Sequence, residues 1–590
     1  MSSLTVVRPM GNLERYSMSR SNVDFHYNVV VGIRLQQQPQ GSGPQTTPQD
    51  VKWFELLAGP LAWLVQKHPS LSVVVDDHLS PHPAFLRMPS VNMSKVIRVT
   101  TIQHSNDVTK VLEKEHAKPF EFTDHSIPLW RVVVAHVTED DSFFILFVFC
   151  HNIADGRSGV AFTEQLVERL NFEATRASSI IAHPMVVTSP TDPMPEPLEQ
   201  RVNCFPSIAT LVKEAISALL LPALIKKALE KAYWAGEFDV TLEAPHETQV
   251  GKHSTTVHAI LFSASVFATK AVFLSKKNNN DNNDDDDQQS SFSTSDDALV
   301  FTSPVSIRDL THPHIARHDL GCYSSEMTTR DIRIALDTCF WDLAKTLRDQ
   351  TVQSTKTTSG VRRLLEHVGL LQFLPNHRGA LEEFLRGRVN KEQHGRQGTL
   401  ELSNVGRAWE QAKEDEEKEK RVVFKVVEGV FSQSAMITGP ALILNAATAN
   451  EVLTVVGTWQ RATFSGREKG EAMMKAFKRI LIEATSTWRI IVVHVKQDDT
   501  YYLLYNFQHS ISDGRSGMMF SELLVERLNH EINNPTAAAS NPAIIPTSNE
   551  PLPPSIEQRT DCRPSIKTLL KEATMILFLP GPLKRMLEKK

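Results

Sequence analysis

The sequence predicts an α/β protein with a partial repeat at its C-terminal end. Three observations carry that expectation. Phe143 to Cys150 reads FFILFVFC, an unbroken apolar run of the length of a strand buried on both faces. Val160 to Glu173, shortly after it, has apolar residues at helical spacing. Trp130 to Lys231 then recurs without a gap as Trp488 to Lys589, with a little under half of the positions identical.

Composition narrows the class. The 590 residues are 41% hydrophobic and 22% charged, an ordinary globular balance. A formal net charge of −5, a sequence pI near 6.5 and the lack of a basic stripe with interleaved aromatics argue against a nucleic-acid partner. Five cysteines, Cys150, Cys204, Cys322, Cys339 and Cys562, are dispersed and never form a C-x-x-C pair, as expected of reduced thiols in the cytoplasm. The opening residues lack an apolar segment of the secretory type, and no run of eighteen apolar residues exists to span a membrane.

Taken in order, the chain opens with a short polar segment before a strand-like run, Asn28 to Leu35. Gln36 to Asp50 is a polar loop rich in Gln and Pro. Val51 to His68 has helical spacing, and Leu71 to Val75 is a short strand. Trp130 to Val137 and Ser142 to Cys150 form an antiparallel hairpin closed by Glu139-Asp140-Asp141. Ala182 to Pro197, with its prolines and threonines, is a surface connection. Ile208 to Trp234 is amphipathic, either a helix pair packed on the domain or an interfacial helix resting on a membrane or lipid droplet. Lys276 to Asp297 is an Asn- and Asp-rich insertion that cannot bury enough apolar surface to order itself. Leu299 to Ile307 is a strand ending on Arg308. His312, His314 and His318 follow in a loop with no evident fourth ligand, so no metal site is expected. Val361 to Arg388 is helical, Thr399 to Gly406 is a strand ending in a turn, and Glu410 to Arg421 is a solvated charge run. Val430 to Leu444 and Val452 to Gln460 form a strand pair leading into a last helix, Glu471 to Ala484.

The chemistry centres on His151-Asn-Ile-Ala-Asp155-Gly156-Arg157-Ser158-Gly159. His151 stands where a rigid strand gives way to a loop, a place from which an imidazole can take a proton from an alcohol or amine near neutral pH. Asp155 reads as a buried carboxylate that needs a cation from elsewhere in the chain. Gly156 supplies freedom for a sharp turn into the helix.

This H-x-x-x-D-G sequence resembles the active-site signature of the chloramphenicol acetyltransferase-like acyltransferases. They include peptide-synthetase condensation domains, plant BAHD acyltransferases and fungal alcohol O-acetyltransferases. The opening RPMGNLERY resembles the last of these more specifically. The resemblance implies two α/β half-domains with mixed sheets around a central tunnel, with His151, Asp155 and Gly156 as the catalytic motif. It also implies that Arg308, on a P-x-S-x-R strand, pairs with Asp155. Ser403, Asn404 and Gly406 match an S-N-x-G element of the tunnel wall, where a hydroxyl or amide is suited to an oxyanion. The corresponding division is an N-terminal half over 1–200, a helical connection over 201–240, a C-terminal half over 241–485 with the insertion 275–298, and a partial duplicate of 128–231 over 486–590.

The function implied is acyl transfer from acetyl-CoA, or another acyl-CoA, to an alcohol, forming an ester, with no permanently bound cofactor. The alternatives are N-acetylation of long-chain amines and an acyltransferase fold without turnover. A monomeric cytoplasmic protein is expected, with peripheral association to endoplasmic reticulum or lipid droplets if the amphipathic segment is interfacial. The second motif, His509 and Asp513, has no arginine strand and no S-N-x-G turn after it, and is expected to be inactive. The fragment that carries it packs on the first copy, complements another chain, or joins pieces of neighbouring paralogues.

Overall fold

The computed structural model describes residues 4–38, 53–176, 185–219, 248–253, 258–274, 298–333, 338–373, 377–389, 396, 398–409, 423–450, 452–464, 466–485, 488–495 and 500–507. His509, Asp513 and most of the loop 36–50 lie outside them, as do the charge run 410–421, the insertion 275–297 and the connection beyond Leu219. The chain divides into two compact units, Met1–Ser486 and Thr487–Lys590.

The first unit is built on two mixed sheets. One has five strands in the order 424–433, 29–37, 142–149, 130–137 and 97–102. Only its last pair is parallel. Every residue of Trp130–Val137 and Ser142–Phe149 is buried, which is why these segments read as continuous apolar runs and not as alternating ones. Helix Gly156–Arg176 packs on this sheet, with Phe162 stacked on Phe147 at 3.7 Å between ring centroids. The second sheet has six strands in the order 248–253, 452–460, 440–449, 398–407, 299–306 and 324–332, with its parallel pairs at the centre. Helices His258–Thr269 and Arg467–Thr485 cover the apolar cluster on it.

Two sequence expectations change. Residues 430–444 do not form one strand: Phe424–Gln433 pairs with Val29–Gln37 in the first sheet, and Pro440–Ala449 lies in the second. Both stretches are apolar, so periodicity alone joins them; Gly439-Pro440 breaks the run, and the chain changes sheets there. A strand late in sequence thus completes the early sheet. His116 fastens this crossing, sharing 2.7 Å hydrogen bonds with Asn28 Oδ1 and Ser432 Oγ. The helical stretch 361–388 is likewise divided, into Thr358–Leu370 and His377–Val389.

In the second unit, Trp488–Val495 pairs antiparallel with Thr500–Phe507. Its register, Trp488 opposite Phe507 and Val495 opposite Thr500, is the same as that of Trp130 opposite Phe149 and Val137 opposite Ser142.

Candidate active site

His151 comes directly after the buried strand 142–149, and its ring lines a cavity of about 350 Å³. The strand delivers it to the junction between the first sheet and the elements of the second. The opposite walls are supplied by Thr302 and Glu401 of the second sheet, Gln433 of the crossing strand, and helix Asn12–Asn22. The imidazole is half-buried, and its Nδ1 is buried with no hydrogen-bond partner beyond its own residue. Burial and then the positive charge of Arg20 lower its pKa to about 4, so the ring is neutral at pH 7. His26, 5.8 Å away between centroids, is pushed well below its ordinary value by burial, Arg20 and His151, and is also neutral.

The bend after His151 is held by a set of polar contacts around Asp155. Arg308 Nη1 donates to Asp155 Oδ2 at 2.7 Å, and the Tyr323 amide donates to the same oxygen at 2.9 Å. Asp155 Oδ1 accepts from the Ser158 amide at 2.8 Å and the Ser158 hydroxyl at 2.9 Å. Arg308 Nη2 reaches Ser158 Oγ at 2.8 Å and the Asp319 carbonyl at 3.0 Å, while its guanidinium lies 4.8 Å from the Tyr323 ring centre. Burial by itself raises the Asp155 pKa, but the Arg308 charge, its hydrogen bond and the two amides outweigh it and hold the carboxyl below its ordinary value. Both partners are nearly inaccessible to solvent, so this is a buried pair whose remaining polar atoms are largely satisfied by neighbours.

Gly156 differs from its sequence reading. It is the first residue of helix Gly156–Arg176 and its φ is not in the left-handed region. A Cβ there meets Val405 Cγ1 at 3.0 Å and Phe431 at 3.2 Å, so glycine is favoured by the close approach of two strands and not by a left-handed turn.

Ser403, Asn404 and Gly406 do not line the cavity that holds His151. Asn404 Oδ1 accepts from the Gly406 amide at 2.8 Å, and Gly406 has a φ of +79°, so the amide side chain closes its own turn. Arg157 Nη1 donates to the Val405 carbonyl, fastening this turn to the helix that follows His151. The element is thus a brace beneath the histidine loop.

Sequence reasoning missed three cavity-facing features: one face of helix Asn12–Asn22, Glu401 and Cys322. Leu13, Tyr16, Ser17 and Arg20 line the cavity from one face of helix Asn12–Asn22. Their i, i+3, i+4, i+7 spacing puts them on one helix face, but Ser17 and Arg20 are polar, so no apolar periodicity marked it. The start of that helix explains the RPMGNLERY segment. Arg8 grips Glu14 through two hydrogen bonds of 2.8 and 2.7 Å, Glu14 accepts from the Gly11 amide at 2.6 Å, and a Cβ on Gly11 collides with Pro197 at 2.3 Å. Glu401 is buried on the wall and hydrogen-bonded to Gln433 at 2.7 Å, an acid between Leu400 and Leu402 in the buried part of strand Gly398–Arg407. Cys322 donates to the His151 carbonyl at 2.9 Å. Burial holds the Cys322 thiol well above its ordinary pKa and pushes Cys150 up to about 11, so neither is a thiolate at pH 7. Cys150, Cys204, Cys322 and Cys339 are all free thiols.

Among the described residues, no helix is long and apolar enough to cross a membrane. Phe205, Ile208 and Val212, at the start of the amphipathic segment, are more than half exposed.

The probable alcohol acetyltransferase crmB of Aspergillus fumigatus is 22% identical over 179 residues, 29% of this chain and 37% of that protein. An uncharacterised Schizosaccharomyces pombe protein is 22% identical over 207 residues, 35% of this chain and 41% of that protein. The chain therefore spans less than half the length of these curated relatives. The crystal structure of a trichothecene 15-O-acetyltransferase from Fusarium sporotrichioides shares the fold, with a TM-score of 0.53 and 13% identity across 80% of this chain and 95% of that one. A family model described as alcohol acetyltransferase matches residues 101–280 and 442–579, segments that contain both histidine motifs. The chain belongs to the alcohol acetyltransferase family of acyltransferases, and its fold is the mixed α/β fold of the chloramphenicol acetyltransferase-like enzymes.

Proposed function

We propose that the protein transfers an acyl group, acetyl in the simplest case, from acyl-CoA to the hydroxyl of a small-molecule alcohol. The observation that carries this reading is the neutral His151 ring on the wall of a 350 Å³ cavity, with its Nδ1 enclosed by protein and its loop clamped from behind by Asp155 and Arg308. With Nδ1 enclosed, Nε2 is the nitrogen presented to a ligand. The hydroxyl oxygen attacks the thioester carbonyl as His151 Nε2 takes its proton. The tetrahedral intermediate collapses, the C–S bond breaks, and the imidazolium returns the proton to the departing CoA thiolate. Ester and free CoA thiol are the products. The protonated thiols of Cys150 and Cys322 favour this direct transfer over a covalent acyl-enzyme. General base catalysis contributes about 10² to 10⁴-fold, or about 3 to 5 kcal/mol, and positioning in the cavity supplies much of the rest.

Asp155, Gly156 and Arg308 act by placing the ring, not by touching substrate. The S-N-x-G turn supports the loop in this reading, and the oxyanion donors are sought among the cavity-lining groups instead. The test is CoA thiol release from acetyl-CoA against a panel of alcohols and long-chain amines. Turnover with alcohols that disappears in His151→Ala supports the reading. Turnover with amines alone replaces it by N-acetylation, and no turnover with either class leaves a binding protein of the same fold.

A further inference from the structure

Arg20 lines the same cavity as His151 and is only 9% exposed. Among the described residues it has no carboxylate partner. Its Nη2 reaches Ser17 Oγ at 3.3 Å, its Nη1 reaches Met436 Sδ at 3.5 Å, and its Nε is buried with no partner at all. The guanidinium lies 4.7 Å from the Tyr16 ring centre, the remaining favourable contact for its charge. Elsewhere in this chain the comparably buried guanidiniums of Arg131 and Arg308 each meet a carboxylate, Glu115 and Asp155, at 2.6 and 2.7 Å, while that of Arg396 is held by the Met436 and Pro440 carbonyls and Thr463 Oγ1. A buried cation left with a thioether and one long hydroxyl contact is costly unless a ligand brings the missing anion.

The acid on the same wall does not supply that anion. Glu401 is hydrogen-bonded to Gln433, and burial, with the Glu326 charge, pushes its pKa up to about 8 against the opposing pull of that hydrogen bond and of the Arg20 charge, which leaves it neutral at pH 7. A neutral carboxyl is a hydrogen-bond donor, so this cavity holds a fixed positive charge, a second polar donor and a proton acceptor at His151.

We propose that the preferred acceptor is a hydroxy acid, whose carboxylate pairs with the open Arg20 guanidinium while its hydroxyl lies against His151. A planar carboxylate matches the guanidinium fork with two parallel hydrogen bonds. The phosphates of CoA are a poorer match, because they are separated from the reacting thioester by the length of the pantetheine arm, and Arg20 lies close enough to His151 for its charge to lower the imidazole pKa. The inference names the acceptor class for the reaction proposed above and rests on that reading.

The experiment compares 6-hydroxyhexanoate, its methyl ester and 1-hexanol as acceptors, in the full chain and in Arg20→Gln and Arg20→Lys. Wild type should favour the free acid over its ester by tenfold or more in kcat/KM. Arg20→Gln should lower kcat/KM for the acid by about 10- to 100-fold, chiefly through KM, as expected for loss of a charge-assisted hydrogen-bond pair. The loss on the ester and hexanol should be about tenfold smaller than that on the acid, with Arg20→Lys intermediate on the acid. Equal losses on all three acceptors overturn the proposal and assign Arg20 to the oxyanion or to folding. Absence of a preference for the acid in wild type overturns it too. A binding arm separates this failure from failure of the acyltransferase reading: 6-hydroxyhexanoate should raise the melting temperature of His151→Ala, but not of His151→Ala with Arg20→Gln. That pattern without turnover in wild type keeps the carboxylate site and removes the reaction, whereas no thermal shift removes the site.

Discussion

Arg308 Nη1 lies 2.7 Å from Asp155 Oδ2, although 153 positions separate the two residues in sequence. The contact joins the loop after the buried hairpin to the end of a strand in the other sheet. Both side chains are about 95% buried, so the charges are screened little and neither tolerates loss of the other.

Asp155→Asn is therefore expected to destabilise the protein by roughly 3 to 5 kcal/mol, because it leaves the Arg308 charge buried and uncompensated. Urea unfolding followed by circular dichroism measures this. The double variant Asp155→Asn with Arg308→Met should recover part of the loss, since it removes the orphaned cation. A single variant as stable as wild type would contradict a supporting role for the pair.

His151→Ala should lower kcat/KM for acetyl transfer by about 10² to 10⁴-fold while leaving the melting temperature within a few degrees. Stopped assays of CoA thiol release settle the first point and calorimetry the second. Activity within tenfold of wild type removes His151 from the proposed mechanism.

The pH profile follows from the depressed imidazole. The neutral ring is the competent form, and its pKa is about 4, so kcat/KM should stay flat from pH 7 down to about pH 5 and fall as the pH drops through 4. An ordinary histidine gives a limb near pH 6.5. Because burial and Arg20 both lower the value, Arg20→Gln should move the limb upward. A wild-type limb at pH 6 to 7, with the fold intact by circular dichroism, argues against an enclosed ring.

Glu401 has the opposite sign. Its folded pKa of about 8 lies above the unfolded carboxyl value, so between about pH 4.5 and 8 the folded state holds a proton that the unfolded chain has released. Its contribution to stability therefore falls as the pH rises through this window and is constant above it. Glu401→Gln cannot ionise, so its melting temperature relative to wild type should climb from pH 5 to pH 8 and then level off. A difference that is independent of pH would show that the carboxyl is ionised in the folded protein.

His509→Ala should leave turnover within about twofold of wild type, because the proposed mechanism assigns the proton transfer to His151. A large loss in the same thiol-release assay would make the second motif part of the catalytic apparatus.

The sequence by itself determined the local parts of this protein. An unbroken apolar run marked the central strand, the 3.6-residue spacing marked the helix behind it, and the histidine motif between them identified the residues worth asking about. Those signals are legible because they depend on neighbours within a turn or a strand. The tertiary structure alone decided which distant groups complete the cavity. Periodicity cannot show that Phe424–Gln433 leaves the later sheet to pair with Val29–Gln37, since a buried strand reads the same in either sheet. It cannot show that Arg20 and Glu401 share a wall, because they lie nearly four hundred residues apart and meet only through sheet order and register. It also assigned Gly156 to a turn, when the cause is the side chains of Val405 and Phe431 pressing against a helix start. In each case the deciding quantity is a contact across the fold, which depends on how the two sheets are ordered and joined and not on the residues beside it in the chain.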